Sequence, residues 1–200
     1  MSYFSYSKEF SGVADVFLRT PTVYRPLFDF IETVMVGPSE LTKAEREIIA
    51  AHVSKLNGCA FCMEAHKATL VALDVPETTV STLEDGPDVN GISESLRQLL
   101  VFAEKLTRTP AAVRQDDVDA LTRAGIAEQT VEDAINVVSL FNYVNRLVDA
   151  FGVEGSPEYF KSVGRSLATN GYAHLLRPKA ARGRRRDVHG RESSNGRTPT

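Results

Sequence analysis

The chain is organised around residues 45–70, which read EREIIAAHVSKLNGCAFCMEAHKATL. A helix is predicted over residues 41–56, because Thr42 and Glu45 have the spacing of a capping box and an apolar stripe with helical spacing follows them. The Asn-Gly pair at positions 57–58 tolerates a positive φ, so the helix should end there. The sequence therefore predicts a helix, a tight turn and the start of a second helix within this stretch.

Both cysteines of the chain lie at the start of that second helix, predicted at residues 59–73. Cys59, Cys62 and His66 are spaced i, i+3 and i+7, so they share one helix face. The free N–H groups of a first helical turn stabilise a thiolate, and a C-x-x-C placed there commonly lowers the cysteine pKa from its ordinary value of about 8.5. We therefore predict a reactive dithiol, with His66 as the nearest proton donor for a leaving group.

Glu47 is the acidic residue that the preceding helix can offer to this dithiol. Its neighbours along the same helix face are Ala50, Ala51 and Ser54, which are small enough to let another helix approach closely. If the two helices fold back on each other across the Asn-Gly turn, Glu47 points at the cysteines. The carboxylate would then be able to take up and return protons during catalysis.

These residues together form a recognisable signature. Glu47, the C-A-F-C run that ends at Cys62, and His66 resemble the E-x11-C-x-x-C-x3-H pattern of AhpD-like alkylhydroperoxidases, within the carboxymuconolactone decarboxylase family. The resemblance implies that Cys62 attacks a peroxide, that Cys59 resolves the product, and that Glu47 and His66 relay protons. The best-studied members carry a histidine immediately before the second cysteine. Here that residue is Phe61, which cannot carry a proton.

The resemblance also implies the function of a thiol-dependent peroxidase, which reduces hydrogen peroxide or alkyl hydroperoxides through a dithiol/disulfide cycle. The reductant would be dihydrolipoamide or a thioredoxin-like protein, and no haem, flavin or bound metal is implied. Members of the family assemble as homo-oligomers, so the same is expected of this chain.

Three other interpretations of the motif remain open. Cys59, Cys62 and His66 could bind zinc with His52 or Glu47 as the fourth ligand, although structural zinc usually draws ligand pairs from two chain segments and no second Cys/His pair exists. The fold could serve a decarboxylase or lactone-processing enzyme, although those branches of the family lack the paired cysteines. A redox sensor or helical interaction module without peroxidase turnover is the third.

The rest of the chain alternates helical periodicity with breaks, and it shows no convincing strand pattern and no fixed-period repeat. We therefore predict an all-α domain over residues 1–176, which by the resemblance is AhpD-like. In the helix of residues 23–34, the predicted apolar face consists of Val23, Leu27, Phe30, Ile31 and Val34. The further helices are predicted at residues 7–18, 76–83, 93–107, 115–124, 130–151 and 157–168.

Charge is distributed unevenly along the 200 residues. The net charge is −3, but residues 177–200 contain eight Lys and Arg against two acidic residues, which leaves −9 on the remainder. An acidic body argues against nucleic acid as the main partner. The tail is rich in Arg, Gly and Ser and has little to bury, so it is predicted to be disordered. A contact of this tail with RNA or a membrane surface stays open as an alternative.

The sequence contains no run of about 18 apolar residues and no signal-peptide pattern at its N-terminus, so no membrane span or export is expected. A C-x-x-C dithiol in such a chain predicts a cytoplasmic protein.

The long predicted helix carries a polar strip on an otherwise apolar surface. Asn142, Asn145, Arg146 and Asp149 recur at helical spacing. Asn142 or Arg146 could orient a substrate or hold Glu47. The alternative is a structural salt link between Arg146 and Asp149.

Overall fold

The computed structural model describes residues 3–7, 10 and 12–176; the basic tail predicted at residues 177–200 lies outside them. The fold is all-α, as predicted. Short 3-10 turns lie at Ser5–Ser7, Pro110–Ala112 and Ala173–Leu176. The helices of the described ranges are α1 (Val13–Arg19), α2 (Pro21–Val36), α3 (Lys43–Asn57), α4 (Ala60–Ala72), α5 (Glu77–Val80), α6 (Glu94–Arg108), α7 (Gln115–Arg123), α8 (Glu128–Phe151) and α9 (Pro157–Asn170).

The central hairpin of α3 and α4 forms as the sequence predicts. The Thr42 side chain accepts a hydrogen bond from the Glu45 N–H, and the Glu45 carboxylate accepts one from the Thr42 N–H, which completes the capping box. Gly58 ends α3 in the left-handed region, with φ 72°. Cys59 is the N-cap of α4, so both cysteines lie at that helix entrance.

Helix α3 is the core of the domain. It packs against α4, α6 and α8, and every residue from 46 to 54 is buried. Among them, Arg46 is held by two backbone carbonyls of the α2–α3 turn, donating to Val34 and Gly37 at 3.0 and 2.9 Å. Because α3 has no solvent-facing stretch there, Glu47 can face only other helices.

Helix α9 lies directly on α4 at a glycine. A Cβ placed on Gly164 would lie 2.5 Å from the backbone carbonyl of Ala68, so only glycine permits this approach. The close packing brings Tyr159 and Val163 of α9 over the first turns of α4, where the cysteines lie.

The apolar face predicted for α2 is wrong at two positions. Val23 and Phe30 are exposed, whereas Phe28, Ile31 and Met35 are buried. The helix offers two apolar faces with similar periodicity, and its packing on α8 and on the chain after α9 selects the second. Ile31 was predicted on this helix's apolar face and is buried as expected.

None of the helices in the described ranges combines the length and the apolar character needed to cross a bilayer.

Candidate active site

The site is built around the Glu47 carboxylate, which lies in the middle of α3 and is only 4% exposed. Its Oε2 lies 2.6 Å from Nδ1 of His66 on α4. Its Oε1 accepts a 2.7 Å hydrogen bond from the hydroxyl of Tyr172. The structure thus brings together Glu47 and His66, the pair proposed as a proton relay, and adds a third residue to them.

The two cysteines are free thiols and both are buried. The pKa of Cys59 is raised, first by a hydrogen bond to the Cys62 side chain, and then by burial, by the charge of Cys62 and by a hydrogen bond to Asp149. The lowered pKa expected from helix placement is therefore wrong for Cys59. Desolvation and the neighbouring sulfur outweigh the helix N-terminus, so Cys59 keeps its proton beside Cys62.

Cys62 faces an inner apolar cavity of about 50 Å³. Side chains of α1, α2, α4, α8, α9 and the chain that follows α9 line it. The lining residues with heteroatoms in their side chains are Cys62, His66, Tyr159 and Tyr172. A small molecule in this cavity would contact a thiol, an imidazole and two phenols, and otherwise only hydrocarbon surface.

Cys59 lines a different recess. An open groove of about 220 Å³ on the outer side of the hairpin is formed by Cys59, Lys55, Glu64, Glu84 and their neighbours. Lys55 donates to the backbone carbonyl of Glu84 and so closes one edge of the groove. The dithiol therefore separates two spaces, the inner cavity beside Cys62 and the outer groove beside Cys59.

Phe61 supplies packing where the related signature has a histidine. It is 7% exposed, and its ring centroid lies 5.6 Å from that of Tyr159 and 5.2 Å from that of Phe160. Burial raises the pKa of Tyr159 to about 12, so this neighbour stays a neutral phenol. The position between the cysteines is therefore an aromatic wall of the inner cavity.

Tyr172 is the site residue that sequence reasoning missed. It follows α9 and lies 125 positions from Glu47 in the sequence. Burial raises its pKa well above the ordinary value, and the neighbouring Glu47 charge acts in the same direction. The tyrosine therefore remains a hydrogen-bond donor at physiological pH. No local pattern near residue 172 signals this contact.

The polar strip on α8 is structural along most of its length. Asn145 is fully buried, donates to Ser54 Oγ at 3.0 Å and accepts from Asn57 at 2.9 Å, which fastens α8 to the end of α3. The structural alternative predicted a salt link between Arg146 and Asp149, but Arg146 hydrogen-bonds Asn142 instead. Neither Asn142 nor Arg146 holds Glu47.

The candidate ligands of the zinc interpretation do not converge. In the part of the chain that the structure describes, no three His, Cys, Asp or Glu side chains are grouped so as to hold a metal ion. His52 is 1% exposed, and neither ring nitrogen makes a hydrogen bond of ordinary geometry; the Leu100 backbone acts on the ring only as a weak acceptor. Burial lowers its pKa to about 4.

Comparison with known proteins gives the same family as the motif. Residues 21–105 match the carboxymuconolactone decarboxylase family. A segment of 90 residues is 29% identical to the alkyl hydroperoxide reductase AhpD of Mycolicibacterium smegmatis and covers 42% of this chain and 51% of that protein, so the match spans about half of AhpD.

Two crystal structures have a similar fold. A peroxidase-related protein from Silicibacter sp. TM1040 superposes with a TM-score of 0.69 at 29% identity, covering 74% of this chain and 78% of that one. A peroxidase-related protein with an alkylhydroperoxidase AhpD core, from Ralstonia eutropha JMP134, gives a TM-score of 0.68 at 26% identity, covering 75% and 78%.

Proposed function

Because residues 21–105 of this chain match the carboxymuconolactone decarboxylase family, we propose that the protein is an AhpD-like, thiol-dependent peroxidase. It reduces hydrogen peroxide or alkyl hydroperoxides with Cys62 as the attacking thiol and Cys59 as the resolving thiol. Glu47 and His66 move the protons. The single observation that carries the proposal is the 2.6 Å contact between Glu47 and His66 at the cavity that Cys62 lines.

A proton relay is needed because thiol acidity alone accelerates little. A lower thiol pKa increases the thiolate fraction but weakens each thiolate as a nucleophile, so the two effects largely cancel. A positioned acid–base pair adds typically about 10²–10⁴-fold. With Nδ1 bound to Glu47, the other ring nitrogen of His66 is left for exchange with Cys62 and the substrate.

The first half of the cycle is the reduction of the peroxide. His66, supported by Glu47, takes the proton of Cys62. The thiolate attacks the terminal peroxide oxygen, the O–O bond breaks, and the leaving alkoxide or hydroxide receives the proton from His66. Cys62 becomes a sulfenic acid, and the peroxide leaves as an alcohol or water.

The second step is resolution by Cys59, whose raised pKa bears on which thiol meets the peroxide. A thiol held protonated against Cys62 does not compete for the peroxide, and it lies in place when the sulfenic acid forms. The Cys59 sulfur attacks the Cys62 sulfur, the S–O bond breaks, and the hydroxide leaves as water with the Cys59 proton. The product is a Cys59–Cys62 disulfide.

Recycling requires two electrons from an external dithiol. Dihydrolipoamide or a thioredoxin-like protein is the proposed reductant, and the outer groove beside Cys59 is its point of approach. A reductant thiolate attacks the Cys59 sulfur, Cys62 leaves as a thiolate, and the second thiol of the reductant releases Cys59. We extend the proposal to a cytoplasmic location, since a dithiol cycle needs a reducing compartment. The resemblance to the family extends it further to a homo-oligomer.

Peroxide consumption with dihydrolipoamide and with a thioredoxin system, measured side by side, tests the activity. One equivalent of peroxide should remove two hydrogen atoms from the intact protein, measured by mass spectrometry. Cys62→Ser should abolish this reaction, and Cys59→Ser should stop at a sulfenic acid that a dimedone probe captures.

The opposite behaviour of the two variants would overturn the assignment of the nucleophile. Near-stoichiometric zinc in protein purified without chelator would replace the peroxidase proposal by the zinc interpretation. Glu47→Gln should lose turnover with an unchanged circular dichroism spectrum, and full turnover in that variant would remove Glu47 from the mechanism.

A further inference from the structure

The chain that follows α9 returns to the site and delivers one side chain to it. Gly171 ends α9 with φ 71°, and Tyr172 then turns inward, where it is 8% exposed. Its hydroxyl reaches Glu47 Oε1 at 2.7 Å, and its ring lines the cavity that Cys62 faces. A residue from outside the α3–α4 hairpin thus contacts the carboxylate of the proposed relay.

A second carboxylate fixes this chain segment in place. Glu32 on α2 accepts the backbone N–H groups of both Tyr172 and Ala173 on Oε2, at 2.6 and 2.8 Å. Gly171 has φ 71°, a backbone conformation that favours glycine, and a Cβ there would also displace the end of the Glu32 side chain, 2.5 Å away at Oε1. The position of the Tyr172 ring is therefore set by two charge-assisted hydrogen bonds to a different helix.

The two oxygens of Glu47 have separate partners. Oε2 contacts His66 Nδ1 and Oε1 accepts from Tyr172, so the carboxylate cannot rotate without breaking one of the two contacts. Burial raises the pKa of Tyr172, so the phenol stays protonated as the donor to Oε1. The carboxylate is therefore fixed with its other oxygen toward His66.

We propose that Tyr172, held by Glu32, is a positioning residue that orients Glu47 toward His66. The inference rests on the proposed function for its kinetic consequences, but the contact itself is measurable without turnover. It makes the segment after α9 a part of the site, although the motif lies on α3 and α4.

Tyr172→Phe tests the proposal because it keeps the ring and removes only the donor. We expect kcat/KM for peroxide to fall about ten- to hundredfold at neutral pH, the range for one hydrogen bond to a charged group. Tyr143→Phe, at a half-exposed tyrosine on α8, is the matched control and should leave kcat/KM unchanged.

Infrared spectroscopy gives a readout that does not require catalysis. The carboxylate stretching bands that disappear in Glu47→Gln should shift in Tyr172→Phe relative to wild-type protein, because one carboxylate oxygen loses its hydrogen-bond donor. This shift is expected even if the wild-type protein consumes no peroxide, in which case the proposed function fails and the positioning role stands. Unchanged bands together with unchanged kcat/KM would overturn the positioning role.

Glu32→Ala tests the anchor and covers the case in which Tyr172→Phe does not fold. Release of the two backbone N–H groups should shift the same bands and lower kcat/KM in the same direction. Asp29→Ala removes an exposed carboxylate of the same helix and is its control. If Glu32→Ala lowers only the unfolding temperature, with the carboxylate bands and kcat/KM unchanged, the segment is structural and the proposal is wrong.

Discussion

Two histidines of this domain are almost equally buried and differ in nearly everything else. His66 is 3% exposed and His52 is 1% exposed. His66 has a carboxylate partner and lines a cavity beside a thiol, whereas His52 has no hydrogen bond of ordinary geometry and a pKa lowered to about 4. Burial of a polar side chain therefore does not identify a candidate site residue by itself. The carboxylate partner and the adjacent cavity are what make His66 the candidate.

The largest expected effect separates the two histidines by chemistry. His66→Gln keeps a polar side chain but cannot exchange protons, so peroxide-dependent oxidation of the dithiol should slow by about 10²–10⁴-fold. His52→Leu should react at the wild-type rate. Stopped-flow measurement of dithiol oxidation in both variants decides the matter. Equal rates in both would mean that His66 is no more functional than His52.

The free energy of unfolding should depend on pH through His52. The pKa of His52 is about 4 in the folded protein and about 6.5 when unfolded, so the unfolded state binds the extra proton in that window. Its contribution to stability is complete above pH 6.5 and is lost as the pH falls toward 4. The loss amounts to about 3 kcal/mol.

Urea unfolding at pH 7 and at pH 4.5 measures this difference. His52→Leu removes the titrating group and should flatten the profile by most of that amount. At pH 7 the substitution should cost little, because no hydrogen bond is lost. Parallel profiles for the variant and the wild-type protein would show that His52 does not titrate in this window.

Removal of a buried polar side chain that has hydrogen-bonding partners should lower the stability at pH 7, unlike His52→Leu. Asn145 hydrogen-bonds Ser54 and Asn57 with no exposure to water. Asn145→Ala leaves these buried groups short of partners and should lower the free energy of unfolding by about 1–3 kcal/mol at pH 7. Chemical denaturation beside His52→Leu checks the contrast. If Asn145→Ala cost no more than His52→Leu at pH 7, partners would not decide the effect of removing a buried polar group.

The central hairpin could be predicted from the sequence because its signals are local. The capping box and the Asn-Gly turn placed α3 and α4 to within a residue or two, and the two helices bring Glu47 to His66 across a short connection. The spacing of Cys59, Cys62 and His66 then follows from helix geometry alone.

The missed features depend on packing between distant segments. Tyr172 reaches Glu47 from the chain after α9, where its backbone N–H donates to Glu32 on α2. The pKa of Cys59 is raised and not lowered, because the Cys62 side chain and burial outweigh the helix N-terminus. The buried face of α2 was decided by its neighbours, because two faces of that helix have similar periodicity.

The smallest expected effect tests whether the stability of the first turn of α3 can change without a change in the Glu47–His66 contact. Thr42 caps α3 with a 3.2 Å hydrogen bond from the Glu45 N–H, one turn before Glu47. Thr42→Ala removes that cap and should lower the free energy of unfolding by about 1 kcal/mol.

Residues 46–54 are buried and packed on three other helices, so the rest of α3 should stay in place when its first turn frays. The rate of dithiol oxidation per folded molecule should therefore match that of the wild-type protein, unlike that of His66→Gln. Denaturation and stopped-flow measurements on the same sample compare the two quantities. A loss of rate larger than the loss of folded protein would mean that the first turn of α3 also sets the Glu47–His66 contact.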